Sequence, residues 1–321
     1  MPKILTIFGA TGTQGGSVIE AVLADPVLSK EYTLRGITRD VTKPAAKALA
    51  DKGVKMVSAD MNSIETAKPA VEGAHTVFFV TNYWEKSSAE VEISQGKAVA
   101  DASKAAGVKH LIFSSLINVT EATKGALPHV HHFDSKAAIE KYIRGVGIPA
   151  TFVQPGFYMS NYLTQFKKED DGSYTHAMPV DGEKAKVPVF DAANDTGMCI
   201  LKRVLNIALI PSAGLFVKAA IKESSPSGKR ILAATDYLTP NQIVADFTAA
   251  TGKKATYKQV SNDVYKSFLP APIAQEMLEN MLLLQDPGYY AGADLSDSLA
   301  LLDRKPTTWK EFAKANKGKW A

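Results

Sequence analysis

The first half of the chain alternates short apolar runs with amphipathic stretches. Ile4-Leu5-Thr6-Ile7-Phe8 reads as a buried strand, followed at once by a glycine-rich turn and a helix over 17–24. The rhythm then repeats. Apolar runs predict strands over 34–38, 55–58, 76–80, 111–114 and 150–153, and the stretches between them predict helices over 42–52, 67–71, 89–106 and 135–144. Strand–helix alternation at this spacing means right-handed βαβ units and a parallel sheet covered on both faces.

After Gln154-Pro155-Gly156 the rhythm breaks. Asp170-Asp171-Gly172 reads as a turn between polar strands, 179–189 as an extended segment, and 196–209 as a helix. A strand over 230–233 returns to the parallel sheet. Thr239-Pro240 offers an N-cap with proline at the first helical position, and Thr308 to Glu311 a capping box. The expected fold is α/β: a Rossmann-type doubly wound parallel sheet with a smaller, interleaved α+β C-terminal domain. Residues 1–155 form the Rossmann domain, completed by about 190–210 and 229–236. Residues 156–189 and 237–321 form the smaller substrate or partner domain. The apolar stretch 207–221, broken by Pro211 and Gly214, is expected either to form an association surface or to fold back onto the core. A helix there would place Lys218 and Lys222 on one face.

Composition narrows the function classes. Apolar residues make up 45% of the 321 and charged residues 22%, the mix of a globular chain with a large core. A net charge of +4 carried by scattered lysines does not predict direct nucleic-acid binding, which needs basic residues clustered on one face. Cys199 is the single cysteine, so no intrachain disulfide forms and a reducing compartment is expected. No signal peptide is read at the start, and charges interrupt the most apolar later stretch, so no membrane span is expected.

The chemistry begins at Gly9-Ala10-Thr11-Gly12-Thr13-Gln14-Gly15-Gly16. Glycines spaced by three between a first strand and a helix let the backbone approach a pyrophosphate and lay it on free N–H groups. At the end of the second strand, where an NAD protein usually carries an acid, the chain reads Thr38-Arg39-Asp40. Arg39, helped by Lys43, suits the 2′-phosphate of NADP(H), while Asp40 leaves some NAD use open. Asp60 and Met61 stand where a pair commonly brackets adenine.

Conventional short-chain dehydrogenases carry Tyr-x-x-x-Lys after the fifth strand. Here that stretch is His132-Phe133-Asp134-Ser135-Lys136: the lysine is kept and histidine replaces the tyrosine. Lys136 and His132 are therefore the catalytic candidates, and Ser114 or Ser115 can polarise a carbonyl. His132 reads equally as an uninvolved loop histidine. His129, His131 and His132 show no carboxylate or thiol partner in the sequence, so no metal is expected.

The glycine turn, Thr38-Arg39, Val80-Thr81-Asn82-Tyr83-Trp84-Glu85, Gln95-Gly96-Lys97 and His132-Phe133-Asp134-x-Lys136 together resemble the NmrA-like family of atypical short-chain dehydrogenases/reductases, closest to its HSCARG-type NADPH redox-sensor branch. The resemblance spans nearly the whole chain. It implies cofactor contacts from Gly12 to Gly16 and from Thr38, Arg39, Lys43, Asp60, Met61, Thr81, Asn82, Tyr83 and Lys136. It adds the loop Phe157, Tyr158, Met159, Ser160 and Asn161. It also implies residence in the cytoplasm or nucleus, and a regulatory protein partner or a homo-oligomer. Ser94 stands where related proteins carry a cofactor-facing lysine. Two functions follow as expectations: first an NADP(H) redox sensor with little turnover, and second a reductase of a quinone, enone or small carbonyl compound.

Overall fold

The computed structural model describes residues 2–192, 212–223 and 226–320. Its centre is a parallel sheet of β1 (Lys3–Ile7), β2 (Tyr32–Thr38), β3 (Lys55–Ser58), β4 (Thr76–Phe79), β5 (His110–Ser114), β6 (Ala150–Pro155) and a late strand β11 (Arg230–Ala233). The order is β11-β6-β5-β4-β1-β2-β3, the Rossmann order with one strand added beyond β6. The chain winds outward from β1 in one direction and from β4 in the other. Their boundary is the topological switch point, where ligands of such sheets bind.

The helices are α1 (Thr13–Ala24), α2 (Pro44–Ala50), α3 (Ile64–Val71), α4 (Ala89–Ala105), α5 (His131–Val146), α6 (Ser212–Lys222), α7 (Pro240–Thr251), α8 (Ala271–Leu282) and α9 (Trp309–Ala315), besides shorter turns. Strand alternation sorts the core into two layers. Leu5, Ile7, Phe78 and Ile112 pack toward α1 and α6, whereas Val77, Phe79, Phe113 and Phe152 pack toward α4 and α5. Every residue of β4 and β5 is buried, as expected when helices cover both faces.

A third core lies beyond Pro155. It gathers Tyr162, Phe166, Phe247, Trp309 and Trp320 under two three-stranded sheets. One is β12 (Asp236–Leu238), β10 (Val187–Phe190) and β7 (Phe157–Tyr158). The other is β13 (Ala255–Gln259), β9 (Tyr174–Met178) and β8 (Phe166–Lys168). The Asp170-Asp171-Gly172 turn joins β8 to β9, with the Asp171 carboxylate accepting from Ser173 N–H.

Three differences from the sequence reading have local causes. The stretch 179–189 is extended only from Val187, because the Asp181 carboxylate accepts from Glu183 and Lys184 N–H and bends the chain. Helix α5 opens at His131 and not Ser135, which moves His132 from a loop onto its first turn. Helix α6 is core and not an association surface. Leu215, Phe216, Val217 and Ala220 are buried, and a Cβ on Gly214 would come within 2.1 Å of Ser17 O, so α6 lies directly on α1. Lys218 and Lys222 do share a face, and both bond Asp25 and Asp303. The helix expected over 196–209 and Cys199 lie outside the described residues, as do 207–211 of the apolar stretch.

Candidate functional site

The turn after β1 enters the switch point with Gly9 at φ +66°, a backbone that side-chain-bearing residues rarely adopt. Gly15 faces it: an added Cβ would sit 2.2 Å from Gly9 O. Helix α1 opens at Gly12 with no side-chain cap and no acid in its first turn. Its first N–H groups therefore have no side-chain acceptor, and no acid offsets the positive end of the helix dipole that they form, which makes this an anion seat.

From this seat runs a cleft of about 1120 Å³. Gly9, Thr11, Gly12, Thr13, Gln14 and Gly15 form its floor. Thr38, Arg39, Asp60 and Met61 line one arm, and Thr81, Asn82 and Tyr83 the middle. Lys136, His132, Phe157, Tyr158 and Asn161 line the other arm. Four expected residues are off the wall. Gly16 is buried behind the turn, Lys43 is exposed at the N-cap of α2, Met159 is fully buried in the C-terminal core, and Ser160 points to solvent. Ser94 is also exposed and off the wall, while Val91 and Gln95 of the same helix are on it. Asp40 is tied into its own turn, its carboxylate accepting from Thr42 N–H and Oγ1, which also lowers its pKa.

Arg39 is the basic end of the first arm. Its side chain is 70% exposed and pairs with Glu85 Oε1 at 2.5 Å. At the second arm Ser114 Oγ is buried on the wall with no hydrogen-bond partner, whereas Ser115 Oγ turns away to Glu140. Of the two serines, Ser114 is the one on the cleft wall.

Lys136 lies on the wall, but its ammonium is bound by Glu92, a buried carboxylate that also accepts from Ser135 Oγ and from Thr81 Oγ1 at 2.7 Å. Burial lowers the Lys136 pKa, and the Glu92 charge opposes that shift. An ammonium has three donors, so two remain for a ligand. Glu92 was not singled out in the sequence; its only local signal is an acid in the first turn of α4.

The histidine reading changes most. His132 lies on the first turn of α5 and not in a loop, and carboxylate partners exist. His132 Nδ1–H donates to Glu276 Oε1 at 2.6 Å, and its backbone N–H donates to the same oxygen at 2.8 Å. His129 binds Glu279 through both oxygens, its backbone N–H donating to Oε2 at 2.7 Å and its Nδ1–H to Oε1 at 2.5 Å. Both acids come from α8, about 150 residues away in sequence, and Tyr83 Oη–H donates to the other Glu276 oxygen. Burial alone would raise the Glu276 pKa, but the bonds from His132 and Tyr83 outweigh it and hold the carboxyl below its usual range. Burial and the Glu276 charge push the Tyr83 hydroxyl up to about 12. Among the described residues no group of three or more His, Cys, Asp or Glu is placed to hold a metal.

Helix α8 also walls the far arm with Ile273 and Met277, opposite Leu116 and Phe133 and beside Leu269 and Tyr289. The cleft thus joins a polar groove that starts at an anion seat to an apolar chamber. A second cavity of about 710 Å³, lined by Asp236, Leu299, Arg304 and Trp309 among others, shares no wall residue with the cleft. It has neither the glycine turn nor the histidine network.

Sheet order, glycine turn and switch-point cleft define a Rossmann-type protein of the dinucleotide-cleft class. The family model described as "NmrA-like family" matches residues 1–313, and the chain belongs to that family. It is 30% identical over 274 residues to the NmrA-like family domain-containing oxidoreductase lnaB of Aspergillus flavus, covering 80% of this chain and 76% of the relative. Its fold is similar to that of NmrA, a negative transcriptional regulator solved in complex with NADP, with TM-score 0.77, 23% identity and coverage of 98% and 94%. It is likewise similar to the NADPH-dependent quinone oxidoreductase QOR2 of Escherichia coli, solved with NADPH, with TM-score 0.74, 23% identity and coverage of 97% and 99%. No helix among the described residues is long and apolar enough to cross a membrane.

Proposed function

We propose that the cleft binds NADP(H) and that the protein is an NADPH-dependent reductase of a planar, electron-poor carbonyl compound such as a quinone or enone. The residues present fit the cofactor: an uncapped helix start for the pyrophosphate, an exposed guanidinium at one end, and spare Lys136 donors toward the ribose. Bound NADPH would supply a hydride to the acceptor. The observation that carries the reductase reading is the chamber itself. The groove continues past Ser114 and Lys136 into an apolar space walled by Leu116, Ile273 and Met277, with His132 at its edge. Sites for apolar substrates combine such walls with a few convergent polar groups. In this reading 1–155 with 229–236 hold the cofactor, and 156–189 with 237–321 close the substrate side. The solved relatives that carry NADP or NADPH support it, as does the oxidoreductase name of the Aspergillus relative. The test is NADPH oxidation at 340 nm against a quinone and enone panel. Acceptor-dependent turnover is expected, and none with any acceptor overturns the reading.

One observation favours the redox-sensor reading that the sequence ranked first. The turn Tyr83-Trp84-Glu85 touches both arms: Glu85 binds Arg39 at one end, and Tyr83 binds Glu276 of α8 at the other. A 2′-phosphate that draws Arg39 from Glu85 would therefore bear on α8, the helix through which a regulatory partner or second copy would sense the cofactor. Cofactor-dependent protection of α8 in hydrogen exchange, with no turnover, is the result that would support this reading over the reductase.

A further inference from the structure

We infer that Glu276, His132 and Asn280 form the proton-donating unit of the apolar chamber, with His132 as donor and Glu276 as the positioning residue that holds it. The inference rests on the reductase reading above and assigns its second half, the proton that must follow the hydride.

Three observations converge. First, both His132 Nδ1–H and His132 N–H are committed to one oxygen of Glu276, at 2.6 and 2.8 Å. A carboxylate kept ionised accepts only, so the ring proton sits on Nδ1 and Nε2 is the nitrogen left for chemistry. Second, Glu276 is itself fixed. It is 7% exposed, and Tyr83 Oη–H occupies its other oxygen at 3.1 Å. Trp84 packs on the His132 ring at 5.0 Å between centroids, which leaves the imidazole little freedom to swing. Third, Nε2 faces the side-chain amide of Asn280 at 3.2 Å, and Asn280 Oδ1 is buried with no partner. An amide serves either state of the ring: Nδ2–H donates to a bare Nε2, and after half a turn Oδ1 accepts from Nε2–H. The unpartnered oxygen is what such a two-state partner leaves over when the ring is neutral.

Both His132 and Asn280 lie on the cleft wall, beside Ile273 and Met277 of the chamber. Bound NADPH would supply the acceptor carbon with a hydride, two electrons and one proton. Its conjugated oxygen gains the displaced electron pair. That oxygen, displacing the Asn280 amide from Nε2, takes the proton from His132 Nε2, breaking the N–H bond and forming O–H. The ring is left neutral with Nδ1–H still on Glu276, and water returns the proton to Nε2. Glu276 holds the ring by Nδ1–H throughout, and Asn280 receives the neutral ring at Nε2 after transfer. Histidine thereby supplies here what tyrosine supplies in conventional short-chain dehydrogenases, by a different support: a carboxylate from α8 in place of a neighbouring lysine.

The test uses the full-length protein and the variants Glu276→Gln, His132→Gln and the double variant. With an accepted quinone or enone, His132→Gln is expected to lower kcat on the order of a hundredfold. Glu276→Gln, which keeps the shape and removes the charge, is expected to lower it roughly tenfold or more, with KM for NADPH unchanged. The double variant should be no slower than His132→Gln alone, because Glu276 acts through the ring. Losses that multiply, or a Glu276→Gln enzyme as fast as the parent, overturn the inference. A second readout needs no turnover. The proton NMR spectrum should show a low-field imidazole N–H that vanishes in His132→Gln and moves upfield in Glu276→Gln. If that resonance is absent or indifferent to Glu276, the unit does not exist, whichever function the cleft has. If it behaves as expected while no acceptor is turned over, the reductase reading fails and the donor role falls with it.

Discussion

Replacing Arg39 by alanine tests the cofactor assignment most directly. The guanidinium is 70% exposed and already paired with Glu85, itself 39% exposed. A hydrogen bond to a charged group contributes about 1.5–3 kcal/mol. An exposed ion pair is worth only about 0–1 kcal/mol, so exchanging Glu85 for a 2′-phosphate forfeits little but gains toward the lower end of that range. A net 1–2 kcal/mol is roughly a five- to thirtyfold preference for NADPH over NADH, since about 1.4 kcal/mol is tenfold. Calorimetric titration of the parent and Arg39→Ala with both cofactors is the assay. The parent should show that preference, and the variant should lose it through weaker NADPH binding alone, with NADH unchanged. Removing the competitor in Glu85→Gln should tighten NADPH by about two- to fivefold. Both effects should shrink as salt rises, because the partners are exposed. Equal affinities in the parent would refute the reasoning, as would an Arg39→Ala variant that weakens both cofactors alike.

Further outcomes follow from the packing and the buried groups. Gly15→Ala should abolish dinucleotide binding with the circular-dichroism spectrum retained, because its Cβ would sit 2.2 Å from Gly9 O; normal NADPH affinity would move the phosphate seat elsewhere. Phe216→Ala should destabilise by about 3–5 kcal/mol with the mass by light scattering unchanged, since Phe216 is fully buried against α1 and the sheet. A smaller species with unaltered stability would restore the association-surface reading. Burial drops His110 from 6.5 to about 4, so between those values the unfolded chain holds a proton that the folded one lacks. Its contribution is therefore intact above pH 6.5 and declines as pH falls to 4, by about 3 kcal/mol. Urea titrations of the parent and His110→Asn across that window should show the variant losing less; identical slopes would place the acid sensitivity elsewhere.

The strands of the parallel sheet and the glycine turn were legible because their causes are local. A strand buried on both faces must be apolar along its length, as β4 is. A backbone that turns at φ +66° and passes 2.2 Å from a neighbour's virtual Cβ must be glycine, as Gly9 and Gly15 are. The Arg39 position is set by its distance from the end of β2, so residue type and register suffice to find it. The N-cap at Thr239 and the capping box at Thr308 are likewise local, and both formed. What tertiary structure alone decided is which charges meet. Glu92 to Lys136 spans 44 residues, and Glu276 to His132 spans 144. Nothing in helical periodicity distinguishes a buried carboxylate that closes a network from one that faces water, because both occupy polar-looking positions on an amphipathic helix. The same holds for 212–222: an apolar helix can cover its own core or a partner's, and the choice lay with Ser17 of α1 and Asp25 just past its end, which Gly214 and Lys218 meet only once the chain has folded.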